Sequence, residues 1–387
     1  MAADDITFID TPAGLRDLCA RLAGLEWVAL DTEFHREKTY YPKLCLIQVA
    51  TADHVACIDP LALGDLAPLM SALEAPGLMK VFHAARQDLE VFHQRFGRIP
   101  TPVFDTQLAA PLLGHPEQMG YAALVAAELG EHLGKGHARA DWTRRPLPPK
   151  QLRYAADDVR YLARLYPRLR DALAARGRLA WLEEDFSALA DPAQYINPPA
   201  DAWRRIRGID RLRGPERSVL QALAEWREAT AQGEDRPRNW VIKDETLLDL
   251  ARQNPVTAQD LAHVRGLSEG TRRRHGEHLL KLMAQARERP PRPLDGAGRP
   301  VRLEPAQEAL ADLLSATVRL VSAEQAINSG VLVSRRDLER LARGVPVREV
   351  LQGWRYALAG PTLQSLLAGH TRMGVHEGRA TLSDKGD

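Results

Sequence analysis

Two proline-rich breaks constrain what this chain can fold into. Residues 191–200 read DPAQYINPPA and residues 288–300 read ERPPRPLDGAGRP. Neither stretch can continue a helix or a sheet strand. They cut the 387 residues into three lengths, each large enough for a domain. Ahead of the first break, apolar runs at 25–30, 44–50, 54–59 and 78–83 alternate with helical patterns near 12–23, 65–74, 84–97, 105–113 and 119–132. The runs at 44–50 and 54–59 are separated only by Thr-Ala-Asp, which predicts a hairpin. The front third is therefore expected to be α/β with a mixed sheet. A glycine- and proline-broken stretch at 133–150 interrupts it before a long helix beginning near Pro149. The other two lengths, 203–289 and 303–372, read as helical throughout, with a frayed tail after Gly374.

The first apolar run ends unusually. Leu-Glu-Trp-Val-Ala-Leu is followed by Asp31, Thr32 and Glu33. Strand side chains alternate, so Asp31 and Glu33 share a face. Two carboxylates that close repel unless a cation lies between them. A solvated strand end is the plain alternative to a divalent-metal site built from hard oxygen ligands. Other acids bear on the choice. Asp88 falls where the 78–83 strand turns into a helix, near the edge at which α/β proteins place ligands. Tyr154 and Asp158 are four apart on the long helix and so share a face, whereas Asp157 points about a quarter-turn away and reads as surface.

Charge is distributed unevenly. Residues 1–200 carry a net −5, residues 201–300 a net +5 and residues 301–387 a net +1. An acidic front and a basic middle suit metal chemistry followed by polyanion binding. No apolar run is long enough to cross a membrane, no secretion signal is visible, and Cys19, Cys45 and Cys57 show no metal-binding spacing. A cytoplasmic, monomeric protein without an obligate protein partner is expected.

The segments DTEFHREKTYYPKLCLIQVA, VFHAARQDLEVF, DWTRRPL and YAADDVRYL, in this order, resemble the motif blocks of the DEDD 3′→5′ exonucleases of the DnaQ-like, RNase H-like superfamily. A tyrosine four residues before the last aspartate marks the DEDDy branch, and the blocks look most like those of the bacterial ribonuclease D family. RGPERSVLQALAEWREATAQGEDRPRNWVIKDETLLDLARQNP with VRGLSEGTRRRHGEHLLKLM is similar to an HRDC domain, a small all-α nucleic-acid-binding module. The family carries two, and residues 303–372 occupy the place of the second. The expected boundaries are 1–195, 205–290, 302–375 and a tail from 376.

The resemblance implies a two-metal hydrolase that releases nucleoside 5′-monophosphates from RNA 3′ ends, tRNA precursors in particular. Two ions, Mg²⁺, Mn²⁺ or Zn²⁺, would lie about 4 Å apart. Asp31 would bridge them, Glu33 and Asp158 would complete the nucleophile-side ion, Asp88 would hold the other, and Tyr154 would orient the attacking water. Phe34, Tyr40 and Tyr41 could stack on bases or fill a core, and His83 could line the substrate groove or be structural. Lys135, Arg139, Arg144 and Arg145 in the broken stretch, and Arg272, Arg273, Arg274 and Lys281 in the basic middle, could meet phosphates. Arg86 and Gln87 read as helix surface. The alternatives are a DNA exonuclease of the same superfamily and a non-catalytic nucleic-acid-binding protein. All catalytic positions precede residue 200, so the front half alone is expected to keep the chemistry.

Overall fold

The computed structural model describes residues 6–134, 140–293 and 303–384; Lys135 and Arg139 lie outside them. The front third opens with β1 (Ile6–Ile9), α1 (Pro12–Leu22), β2 (Trp27–His35), β3 (Lys43–Ala50) and β4 (Val55–Ile58). It continues through α2 (Ala67–Leu73), β5 (Met79–Phe82), α3 (Arg86–Phe96), β6 (Val103–Asp105), α4 (Thr106–Ala109), α5 (Tyr121–Leu129), α6 (Pro149–Ala175) and α7 (Glu183–Leu189). Local chemistry sets the ends. Thr11 accepts the Gly14 amide to cap α1. Gly97, at φ 68°, takes the left-handed turn that stops α3. Pro149 opens α6, where its missing amide costs nothing.

The strands form one mixed sheet in the order β1-β4-β3-β2-β5-β6. β3 and β4 are the expected antiparallel hairpin, while β1–β4, β2–β5 and β5–β6 pair in parallel. α6 buries Ala155, Val159, Leu162, Tyr166 and Leu173 in one core with Ala29, Cys45, Val81 and Phe104 of the sheet. That packing carries the last predicted site residues onto the strand that holds the first.

The middle third has α8 (Pro215–Gly233), α9 (Arg238–Val241), α10 (Asp244–Gln253), α11 (Ala258–His263) and α12 (Glu269–Arg287). The last third has α13 (Pro305–Gln325), α14 (Ser329–Leu332), α15 (Arg335–Ala342), α16 (Val347–Val350) and α17 (Gly353–Leu367). It ends in β7 (Thr371–His376) and β8 (Arg379–Asp384). These strands correct the expectation of a frayed tail. Glu377 and Gly378, at φ 49° and 74°, form the two-residue left-handed turn that matches strand twist.

The described residues fall into two compact units that cut across the three expected lengths. One comprises the described parts of 1–33, 44–194 and 302–387, the other those of 34–43 and 195–301. Within the first, the last third docks on the front third. The buried Arg178 guanidinium donates to the carbonyls of Leu112 and Gln325, at 2.7 and 2.6 Å. Trp181 stacks on Trp354 with ring centres 4.7 Å apart. Within the second, Tyr40 joins a core of Trp203, Leu220, Leu223, Leu247 and Leu279. Tyr40 is thus a core residue of the helical unit. The 191–200 stretch is likewise no loose linker: Tyr195 is buried, and the chain coils tightly at Pro192–Tyr195 and Pro199–Arg205.

Candidate active site

β2 delivers Asp31 and Glu33, the first turn of α3 delivers Asp88, and α6 delivers Tyr154 and Asp158. Ligand oxygens of Asp31, Glu33 and Asp158 all lie within 4.8 Å of one another. Asp88 is held against the same strand. Its Oδ1 accepts from the Thr32 amide at 3.0 Å and the Thr32 hydroxyl at 2.6 Å. Thr32, the residue between the two acids, is therefore what aligns the fourth carboxylate.

Electrostatics shows what the cluster favours. Burial, with Asp158 second, pushes the Asp31 carboxyl well above its usual range. Glu33 is pushed up to about 10, first by burial and then by Asp31, Asp158 and Asp88. Asp158 rises to about 7, from burial and the neighbouring Asp157 and Asp88, against a hydrogen bond from Tyr154 that stabilises the carboxylate. Burial and Asp31 raise Asp88, partly offset by Thr32. Burial and repulsion thus disfavour the charged form of each acid; a divalent cation among them would favour it and neutralise the repulsion. The donors are all oxygen, which suits hard cations rather than thiolate-bound metals. Burial, with Asp158, Glu33 and Asp31 behind it, also keeps the Tyr154 phenol protonated.

Two positioning devices gave no signal in the sequence. Asp105, buried at the end of β6, accepts the amides of Ala84, Ala85 and Gln107 at 3.0, 2.9 and 2.7 Å. Ala84 sits at φ 59°, a strained angle for alanine, in the turn that leads to Asp88. Asp105 is what holds that turn. Tyr121, half-buried at the start of α5, donates to the Asp157 carbonyl at 3.0 Å, next to Asp158. A lone acid at a strand end and a lone helix tyrosine carry no pattern by which to find them.

The expected RNA contacts fare unevenly. Arg145 is a correction. All five of its N–H donors are engaged internally, on both oxygens of Asp59 and on the carbonyls of Cys45, Trp142 and Arg144. His83 is another. Met119 O lies 3.1 Å from its Nε2 and the Thr106 hydroxyl 2.9 Å from its Nδ1, and burial lowers its pKa to about 4, so it is a neutral structural histidine. Asp157, read as surface, is half-buried and ion-paired with Arg160. Arg144 is 81% exposed beside Asp141. Phe34 is half-buried at the end of β2, and Arg86 and Gln87 are exposed on α3. On α12, Arg272 is half-buried, while the exposed Arg273 and Arg274 border a cavity of about 500 Å³ with Arg236 and Trp240.

Residues 6–174 match the family model described as 3′–5′ exonuclease, and residues 216–283 match the HRDC domain. The chain is 41% identical to a ribonuclease D of Granulibacter bethesdensis over 95% of this chain and 94% of that one. It is 39% identical to that of Acidiphilium cryptum over 97% and 96%. The chain belongs to the ribonuclease D family. The crystal structure of Escherichia coli RNase D, described as an exoribonuclease involved in structured RNA processing, superposes with a TM-score of 0.78 at 33% identity, covering 94% of this chain and 99% of that one. The catalytic core of RRP6 from Trypanosoma brucei gives 0.58 at 26% identity over 73% and 79%. Ribonuclease D membership makes this chain an enzyme, a 3′–5′ exoribonuclease with an exonuclease domain on a mixed sheet and a helical HRDC domain. Exonucleases of this family depend on divalent metal, and the Asp31–Glu33–Asp158 cluster is the candidate seat for it.

Proposed function

We propose that Asp31, Glu33, Asp88 and Asp158 hold two divalent cations, Mg²⁺ or Mn²⁺, that Tyr154 positions the attacking water, and that the chain trims 3′ ends of tRNA precursors and other structured RNAs. The observation that carries the reading is the set of three carboxylates whose oxygens lie within 4.8 Å, where burial and mutual repulsion raise the pKa of each. Bound there, the ions would lower the pKa of a coordinated water and stabilise the leaving 3′-oxygen. Asp31 and Glu33 offer oxygens from one strand face, and Asp158 offers one from the helix packed on the sheet. Asp88 has Oδ2 for the site, since Thr32 takes Oδ1. Tyr154, kept protonated, acts as a donor and not as a base.

The last third reads as a second HRDC-like domain, giving boundaries of 1–195, 205–290 and 302–375. The support is order: α8 to α12 run long, short, medium, short, long, and α13 to α17 repeat that series. Cys19, Cys45 and Cys57 form no disulfide, which suits a reducing cytoplasm. No helix among the described residues is long and apolar enough to cross a membrane.

The test is digestion of a tRNA-like RNA with a 3′ extension, and of a matched DNA, in Mg²⁺ or Mn²⁺. The reading requires stepwise loss of nucleoside 5′-monophosphates from the RNA 3′ end. Release of oligonucleotides, or equal turnover of the DNA, would overturn it.

A further inference from the structure

The strand that carries two of the proposed metal ligands does not end in its own unit. β2 runs from Trp27 to His35, and the chain beyond Glu33, residues 34–43, belongs to the compact unit built from residues 195–301. This segment is also the whole connection from β2 to its sheet neighbour β3.

The segment is fastened there by charged groups whose partners are backbone and phenol. The Tyr40 ring lies in the helical core, 7% exposed. Its hydroxyl donates to Oε1 of Glu228 at 2.5 Å and accepts from Gln232 at 3.1 Å. Burial and the Glu228 contact push that hydroxyl up to about 12, so it stays a donor. Glu228 is fully buried on α8 and pairs with Arg205 at 2.9 Å and Arg238 at 3.6 Å. The amides of both Tyr40 and Tyr41 donate to a single oxygen of Asp235, each at 3.0 Å. Asp235 itself sits at φ 46°, a conformation aspartate and asparagine tolerate better than most residues. Within the segment, Arg36 donates to the Tyr40 carbonyl and the Thr39 hydroxyl to that of Tyr41.

Glu33 precedes Tyr40 by seven residues. A carboxylate cluster that repels itself needs its ligands fixed before the cation arrives, and outer groups that orient ligands are worth 10–100-fold in metal affinity. We propose that Asp235 and Glu228 are positioning residues for the metal site: by fastening Tyr40 and Tyr41 they fix the chain that leaves Glu33, and so hold the Asp31–Glu33 strand end in its metal-ready form. The inference rests on the reading of Asp31 and Glu33 as metal ligands. It gives the helical domain a part in the chemistry besides contact with RNA.

The test uses the full chain and Mn²⁺ binding by calorimetry, with no RNA present and below the melting temperature of every variant. Asp235→Gly keeps the left-handed backbone and removes the acceptor; Asp235→Asn keeps both. Asp235→Gly should weaken Mn²⁺ about tenfold, whereas Asp235→Asn stays within about twofold of the parent. Tyr40→Phe, which leaves the ring in the core, should move affinity in the same direction and serves if Asp235→Gly fails to fold. Asp31→Ala is the control for the site. If Asp31→Ala abolishes Mn²⁺ binding while Asp235→Gly and Tyr40→Phe bind as the parent does, the positioning role is wrong and the metal site stands. If Asp31→Ala binds Mn²⁺ normally, the metal-site reading has failed and this inference falls with it.

Discussion

Thr32 holds Asp88 by two hydrogen bonds to one oxygen, 3.0 Å from its amide and 2.6 Å from its hydroxyl. The residue between two acids on β2 thereby sets a carboxylate from α3, and the Asp-x-Glu spacing has a purpose for its middle member. Thr32→Val keeps the shape of the side chain and removes the hydroxyl. Mn²⁺ affinity should fall about tenfold, as for other groups that orient a ligand, with about 1 kcal/mol lost in stability. Calorimetry and a thermal melt check both; unchanged affinity would mean that Asp88 needs no such support.

Tyr154 gives the second prediction. Tyr154→Phe should lower kcat about 100-fold or more and leave Mn²⁺ and RNA affinity near the parent's. Single-turnover kinetics on a short RNA, beside direct metal binding, separates these effects. A collapse of metal affinity would instead make the tyrosine a prop for Asp158.

Acid–base behaviour supplies the third. Glu33 is raised from 4.5 to about 10 and Asp158 from 3.8 to about 7. A raised folded-state pKa contributes stability that is complete below the unfolded value and lost as pH climbs to the folded one. Asp158 therefore sheds its contribution between about pH 4 and 7, and Glu33 sheds its own from about 4.5 to 10. In EDTA the parent should melt lower at pH 8 than at pH 6. Glu33→Gln, neutral throughout, should match the parent near pH 4 and exceed it by at least ~2 °C at pH 8. Saturating Mn²⁺ should erase that advantage. A gap that shrinks as pH rises would contradict the protonated cluster.

The arginines divide into two kinds. Arg145→Ala should cost about 3 kcal/mol of stability, because it strands the buried Asp59, and should leave RNA affinity unchanged. Arg273→Ala with Arg274→Ala should instead weaken binding of structured RNA, spare kcat on a short oligonucleotide and flatten the salt dependence by about 0.7 per lost phosphate contact. Melting curves and filter binding at several KCl concentrations distinguish the two cases. An Arg145 variant that melts normally but binds poorly would reverse the assignment.

What was legible in the sequence was whatever a local period can carry. Strand alternation put Asp31 beside Glu33, the helix repeat put Tyr154 beside Asp158, and Gly97 and Pro149 marked element ends that the structure reproduces. What was not legible depends on partners far along the chain. Arg145 looked like a surface cation because Asp59, 86 positions earlier, shows no relation to it in sequence. Tyr40 looked equally like a base platform or a core residue; its socket lies 188 positions on, at Glu228. His83 reads equally as groove or structure, because Thr106 and Met119, which enclose it, lie 23 and 36 positions on. The terminal hairpin has little core to announce it, and a Glu-Gly turn is a weaker signal than Asn-Gly.

The account stands most directly on hydrolysis by the carboxylate cluster. The decisive measurement is digestion of a 5′-labelled RNA by the full chain and by Asp31→Ala, each with Mn²⁺ and with EDTA, after circular dichroism has shown both to be folded. The parent with Mn²⁺ should give a ladder receding one nucleotide at a time from the 3′ end, and the other three reactions should leave the RNA whole. A folded Asp31→Ala protein that builds the same ladder at the parent's rate would contradict the account.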